Sequence, residues 1–141
     1  MQGEIFKRQT ITEPAFQISL HNKAYDRVRW SIMKSGKYYE TGLTEHYQQI
    51  LAGRSSTLVV DVGLNIGWFS LWALALGHTV TAFEPNAANI FRFCQSVALN
   101  QFEKERIRIF RLGLGDAEGE MKLSWMGANP GAPAALQLLQ N

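Results

Sequence analysis

Thr57-Leu58-Val59-Val60-Asp61-Val62 runs straight into Gly63-Leu64-Asn65-Ile66-Gly67, and the change of character at residue 63 sets the architecture. Consecutive apolar and β-branched residues, without the alternation of a half-wetted strand, predict a parallel strand covered on both faces. Gly63 permits a sharp turn at positive φ, and Gly67 allows close entry into a helix. Trp68 to Leu76 is almost wholly apolar and is closed by Gly77, while Thr79 to Phe83 repeats the buried-strand pattern. The unit is strand, helix, strand, with its loop at the carboxyl end of the first strand.

The pattern continues outward on both sides. Pro85 ends the second strand and Asn86 can cap a helix; Ile90, Phe93, Cys94, Val97 and Ala98 then recur at helical spacing. That helix is expected to bury this face, with Cys94 as a small apolar filler and not a nucleophile. A third strand is predicted over Arg106 to Leu112, where Arg106, Arg108 and Arg111 suggest an edge position. A tight turn over Asp116 to Gly119 leads to an antiparallel return strand, in which Met121, Leu123 and Trp125 alternate with Glu120, Lys122 and Ser124. Gly127 to Ala135, rich in Gly, Ala, Pro and Asn, reads as a loop.

Upstream, Phe16, Ile18 and Leu20 alternate with Gln17, Ser19 and His21, the signature of a half-buried strand. Val28, Trp30 and Ile32 suit either a strand or a helix, and Gly36 ends either one. Leu43, Tyr47, Ile50 and Leu51 fall at helical spacing before Gly53. The chain thus divides into a lead-in over 1–56, a core over 57–126 and a tail over 127–141.

A loop of this kind suits a nucleoside-containing cofactor. Backbone without a Cβ at Gly63 can approach a ligand, and the start of the helix near Trp68 favours an anionic group. Glu84, at the end of the neighbouring strand, can accept hydrogen bonds from both hydroxyls of a ribose. A dinucleotide fingerprint requires G-x-G-x-x-G, and Asn65 occupies the place of the middle glycine, so NAD(P) and flavin rank behind other nucleosides. The plainer readings are a turn for the glycines, a wetted strand end for Glu84, an Asp-x-x-Gly turn for Asp116, and core packing for Trp68 and Phe69.

Asp61-Val-Gly-Leu-Asn-Ile-Gly-Trp-Phe-Ser70, followed by Ala82-Phe-Glu-Pro-Asn86, resembles the hallmark of the FkbM-type methyltransferases. The resemblance runs on through Asn89, Asn100, Leu112-Gly-Leu-Gly-Asp116 and Gly119-Glu120, over roughly residues 57 to 125; Gly36-Lys-Tyr-Tyr-Glu40 is similar to the family's lead-in. It implies an α/β, Rossmann-like class I methyltransferase fold, here truncated to the first three parallel strands and their helices plus the antiparallel return strand. It also implies S-adenosylmethionine as cofactor and O-methylation of a sugar or small-molecule hydroxyl. On the family pattern Gly63, Asn65 and Gly67 cradle the methionine part, Asp61 orients the loop and helps receive the amino group, Glu84 holds the ribose, and Asp116 accepts from the adenine amino group. The fourth strand with its acidic motif, and the groups that activate the acceptor, come later in that family. The expectation is therefore a chain that binds the cofactor weakly or not at all by itself, either as part of an enzyme or as a non-catalytic binding or regulatory module. The Thr57 strand is expected to show an open apolar edge that invites self-association or a partner.

Composition narrows the classes further. An apolar share of 46% and a charged share of 18% are those of a folded globular domain. A formal charge of +2 is too small for electrostatics alone to drive binding to nucleic acid or anionic membranes. Cys94 is the only cysteine, and His21, His46 and His78 have no partners at metal-ligand spacing, so neither a disulfide nor a metal site is expected. Leu58 to Gly77 is apolar, but Asp61, Asn65 and three glycines interrupt it, and the N-terminus lacks a signal-like apolar run. A cytoplasmic protein without a membrane span is the resulting expectation.

Overall fold

The computed structural model describes residues 5–22, 26–124 and 135–138. In chain order the elements are β1 (Lys7–Gln9), β2 (Gln17–Ser19), α1 (Arg27–Ser35), α2 (Thr41–Leu51), β3 (Leu58–Val62), α3 (Trp68–Ala75), β4 (Thr79–Phe83), α4 (Ala87–Leu99), β5 (Ile107–Phe110), β6 (Met121–Ser124) and β7 (Ala135–Leu138). A short 3-10 turn at Lys104–Arg106 leads into β5. The protein is a mixed α/β structure around a parallel sheet in the order β3, β4, β5.

Register sorts the sheet into two unlike faces. Val59 pairs with Val80 and Asp61 with Ala82, while Val80 and Ala82 face Ile107 and Ile109 on β5. On this face Val80 and Ala82 are fully buried and α3 packs against β3 and β4. The other face carries Leu58, Val60 and Val62, each more than half exposed, together with Phe110 stacked on Phe83 at 5.1 Å. The expectation that the first strand is covered on both faces is therefore wrong. Consecutive apolar residues gave that reading, but β3 is an edge strand and α3 covers only one of its sides.

The helices follow from local signals. Gly67, at φ 90°, opens α3, and six of the eight α3 residues are buried, as an all-round apolar helix requires. Asn86 caps α4 by accepting from the Ala88 amide at 3.0 Å. The buried stripe of α4 is Asn89, Phe93, Ser96 and Val97; Cys94 and Ala98, expected inside, are exposed. Polar residues take the inner positions because β2 lies over them.

That seam joins the lead-in to the core. The Ser19 amide donates to Ser96 Oγ and the Ser19 hydroxyl to Gln95 Oε1, both at 2.8 Å, and His21 Nε2 meets Asn89 Oδ1 at 2.8 Å. Asn100 accepts from the Gln17 amide at 2.8 Å and donates back to the Gln17 carbonyl at 2.7 Å. The strand expected to be half-buried is thus covered on both sides, with Phe16, Ile18 and Leu20 in the main core and Ser19 and His21 against α4. Trp68 sits between Phe16 and Tyr38, at ring distances of 5.4 and 5.6 Å, which bears out its core assignment.

The undecided stretch around Val28 is helical: Asp26 caps α1 through the Arg29 amide, and Gly36, at φ 69°, closes it. Beyond β5 the chain bends at Asp116–Ala117 without a hydrogen-bonded tight turn. The return strand β6 is antiparallel, as expected, but its partner is β7 and not the main sheet. Trp125 and the loop expected over Gly127 to Ala135 lie outside the described residues, except that Ala135 opens β7. Among the described residues no helix is long and apolar enough to cross a membrane.

Candidate functional site at the carboxyl ends of β3 and β4

Gly63 and Gly67 do different work within one loop. Gly63, at φ 86°, is exposed and nothing lies within 4 Å of where a Cβ would project, so its backbone faces open space. Gly67, also at positive φ, is buried, and a Cβ there would overlap the Phe93 ring of α4. Asn65 between them adopts φ 54°, a left-handed conformation that Asn tolerates better than most residues. The bend at positive φ expected at Gly63 and the close helix entry at Gly67 are both present, and the hydrogen-bonded turn falls between them at Asn65 and Ile66.

The loop amides, however, are already engaged. Gly63 and Leu64 donate to the Phe83 carbonyl at 2.9 and 3.2 Å, and Gly67 donates to the Leu64 carbonyl at 2.9 Å. The Asn65 amide donates to Glu84 Oε2 at 2.8 Å, and the Ile66 amide to Asn65 Oδ1 at 2.7 Å. All five amides from Gly63 to Gly67 thus have partners within the protein. What remains for an anion is the first turn of α3, which has no side-chain cap and whose first intrahelical bond runs from Leu71 to Gly67.

Glu84 is buried, 6% exposed, and is not a wetted strand end. Its Oε2 accepts from Asn65 and its Oε1 from the Asn86 amide at 2.8 Å, so one carboxylate ties the loop after β3 to the segment after β4. A carboxylate has about four acceptor positions, and these bonds occupy two of them.

Asp61, near the carboxyl end of β3, has a different partner. Ser70, in the first turn of α3, donates to Asp61 Oδ2 at 2.5 Å. Burial raises the Asp61 carboxyl above its ordinary value and the Ser70 hydroxyl opposes that shift. A hollow of about 160 Å³ lies beside Asp61, lined also by Leu43, Tyr47 and Phe69. The Tyr47 hydroxyl donates to the Phe69 carbonyl at 2.9 Å, and burial, then the Asp61 charge, raises its pKa. Burial likewise raises Tyr38, with its neighbour Tyr39 adding to the effect. Both phenols are neutral donors at physiological pH.

A larger hollow, about 670 Å³, opens beyond β4 and β5 between Pro85, Asn86, Leu112, Gly113 and Gly119. Its size is within the range of small-molecule sites. Asn86 is its link to Glu84. Asp116 lies in the exposed segment after β5, between Gly115 and Ala117, which both line this hollow.

The structure thus gathers Asp61, Gly63, Asn65, Gly67 and Glu84 around one loop, while Asp116 belongs to the segment after β5, between two residues that line the larger hollow. Ser70, Tyr38 and Tyr47 are neighbours of the site that spacing did not single out. The signal for Ser70 was its place in the first turn of an uncapped helix, one position where it can meet a strand-end acid. Among the described residues no cluster of His, Cys, Asp or Glu could hold a metal ion. No protein-family model matches this chain, and no curated protein matches it significantly.

Proposed function

We propose that this chain carries the S-adenosylmethionine-binding half of a class I methyltransferase, acting on a hydroxyl of a sugar or another small molecule. The observation that carries this reading is the joint geometry of Gly63, Asn65 and Glu84: bare, open backbone at Gly63 after one parallel strand, in a loop whose Asn65 amide is bonded to a buried acid just after the next strand. Ligands of open α/β sheets bind at such carboxyl ends.

The residues fit the cofactor on a revised division of labour. The open space over Gly63 takes the methionine part, the uncapped first turn of α3 faces its carboxylate, and Asp61 faces its ammonium. Glu84 first fixes the loop, and its remaining acceptor positions serve the ribose. The hollow beyond Asn86 takes the base, with Asp116 between two residues that line it. When bound, the cofactor supplies a methyl group on a sulfonium, open to in-line attack by the acceptor oxygen. The protein's share is to hold that geometry, because alignment supplies much of the acceleration. Further strands of such a domain, a partner or a second copy would cover the bare face of β3.

Amide NMR of the full chain, titrated to millimolar S-adenosylhomocysteine and separately to NADH, tests the reading even where affinity is low. Shifts at Gly63, Asn86 and the first α3 amides with the former alone are expected. Shifts with NADH alone, or none with either ligand, overturn it.

A further inference from the structure

We propose that α1 and β1 form a docking face for anionic membrane surfaces. The charge of the chain is unevenly placed. Residues 5–11 and 26–37 hold six of the fourteen Lys and Arg residues but one of the twelve acids, Asp26. Asp26 is buried at the α1 cap, so no carboxylate of these two segments reaches solvent. The remainder of the chain, with eight cations and eleven acids, is net negative. These two segments are therefore cationic within a chain of formal charge +2, and the acids Glu13 and Glu45 lie at one end of them, where they share a hollow with Lys37.

The two segments make one surface. Arg29 lies over the Phe6 ring at 5.2 Å, and the Ile11 amide donates to the Gly36 carbonyl at 3.1 Å, so the strand segment runs along α1 from its first turn to its end. Lys7, Arg8, Arg27, Lys34 and Lys37 are all exposed.

An apolar centre lies among these cations. Val28 and Ile32 mark the buried side of α1, and Trp30, two residues from each, points about 200° away from both, at the middle of the outward face. Trp30 is 62% exposed, and Met33 beside it and Ile11 at the helix end are exposed as well. Lys34 carries its ammonium 4.6 Å from the Trp30 ring. A tryptophan flanked by long basic side chains suits a headgroup boundary, where the indole and lysine stems enter the acyl region and the ammonium groups stay with lipid phosphates. Phosphate-backbone recognition uses the cations but gives no role to exposed Met33 and Ile11. Those residues favour a membrane over nucleic acid.

Vesicle flotation of the full chain tests the proposal, with phosphatidylcholine alone and with added phosphatidylserine. Binding is expected only to the anionic vesicles, weakening with salt, and K34E/K37E is expected to reduce it at least about tenfold. Trp30→Ala is expected to weaken binding and to remove the blue shift of tryptophan emission that accompanies it. Unchanged melting temperatures show that these surface variants fold. Equal binding to neutral vesicles, indifference to both variants, or binding to an RNA oligonucleotide without binding to vesicles overturns the proposal.

Discussion

The Asn65 amide and Glu84 Oε2 are joined by a 2.8 Å hydrogen bond, so an acid just after β4 sets the shape of the loop that leaves β3. Because Glu84 Oε1 also holds the Asn86 amide, the same side chain fixes the start of α4. Gly63 and Asn65, both at positive φ, belong to that loop, and of the two it is Asn65 that Glu84 holds.

Glu84→Gln places an amide NH2 where one of the two backbone donors needs an acceptor. A buried donor left without its partner costs about 1–3 kcal/mol, and urea melts of this variant are expected to show a loss in that range. Amide exchange at Asn65 or Asn86 should accelerate with it. Wild-type stability together with unchanged exchange would show that the carboxylate does not hold the loop.

The two loop glycines separate backbone strain from packing. At Gly63 an alanine meets open space and suffers only the left-handed conformation, about 1–2 kcal/mol. At Gly67 the same strain is joined by overlap with Phe93, and overpacking typically adds about 1–3 kcal/mol. Gly67→Ala is therefore expected to destabilise more than Gly63→Ala, and Phe93→Ala should relieve part of the excess in a double-mutant cycle. Equal losses at the two glycines would mean that the Phe93 ring moves aside freely.

Much of this was legible in residues 57–99, where strand, turn, helix and strand each have a strong local signature: the predicted Thr79–Phe83 strand matches β4, and Asn86 caps α4 as its side chain suggests. The face of α4 was not legible, since Ser96 and Asn89 turn inward to bond with Ser19 and His21, 77 and 68 positions earlier in the chain. Nor could spacing show that Glu84 and the loop amides bond to each other, because a carboxylate at a strand end looks the same in sequence whether it awaits a ligand or a backbone. Exposure of β3 was misread for a related reason. Continuous apolar residues report what a strand is suited to, and only the neighbouring elements decide what covers it.

Asp61 gives a dependence on pH. Burial raises its carboxyl from the ordinary 3.8, so in the window between that value and the raised one the unfolded chain loses its proton first. Stability from this group falls as pH rises through the window, and above it the burden of the buried charge is complete. Asp61→Asn keeps an oxygen for the Ser70 hydroxyl and never ionises. Relative to wild type it is expected to melt a few degrees higher at neutral pH, with the difference closing toward acid. Loss of S-adenosylhomocysteine binding in the same, more stable variant would mark the acid as functional, whereas a constant difference at all pH values would rule out its titration as the cause.

The bare face of β3 leads to a different measurement. Leu58, Val60 and Val62 stand side by side on an edge strand, each more than half exposed, without a charge among them. On β5 the same sheet face carries Arg108. Natural sheets use such charges to discourage pairing at an edge, so β5 is guarded where β3 is not. Val60→Lys adds the missing charge at the strand centre without emptying the core, because Val60 is already 57% exposed. The variant is expected to change stability by less than about 0.5 kcal/mol, the usual range for surface substitutions. Concentration-dependent association in sedimentation velocity should fall markedly in parallel. If association persists while the fold is intact, another surface carries it. If the variant unfolds, the face called bare is covered in solution, and the edge then belongs to an interior that β3 alone does not reveal.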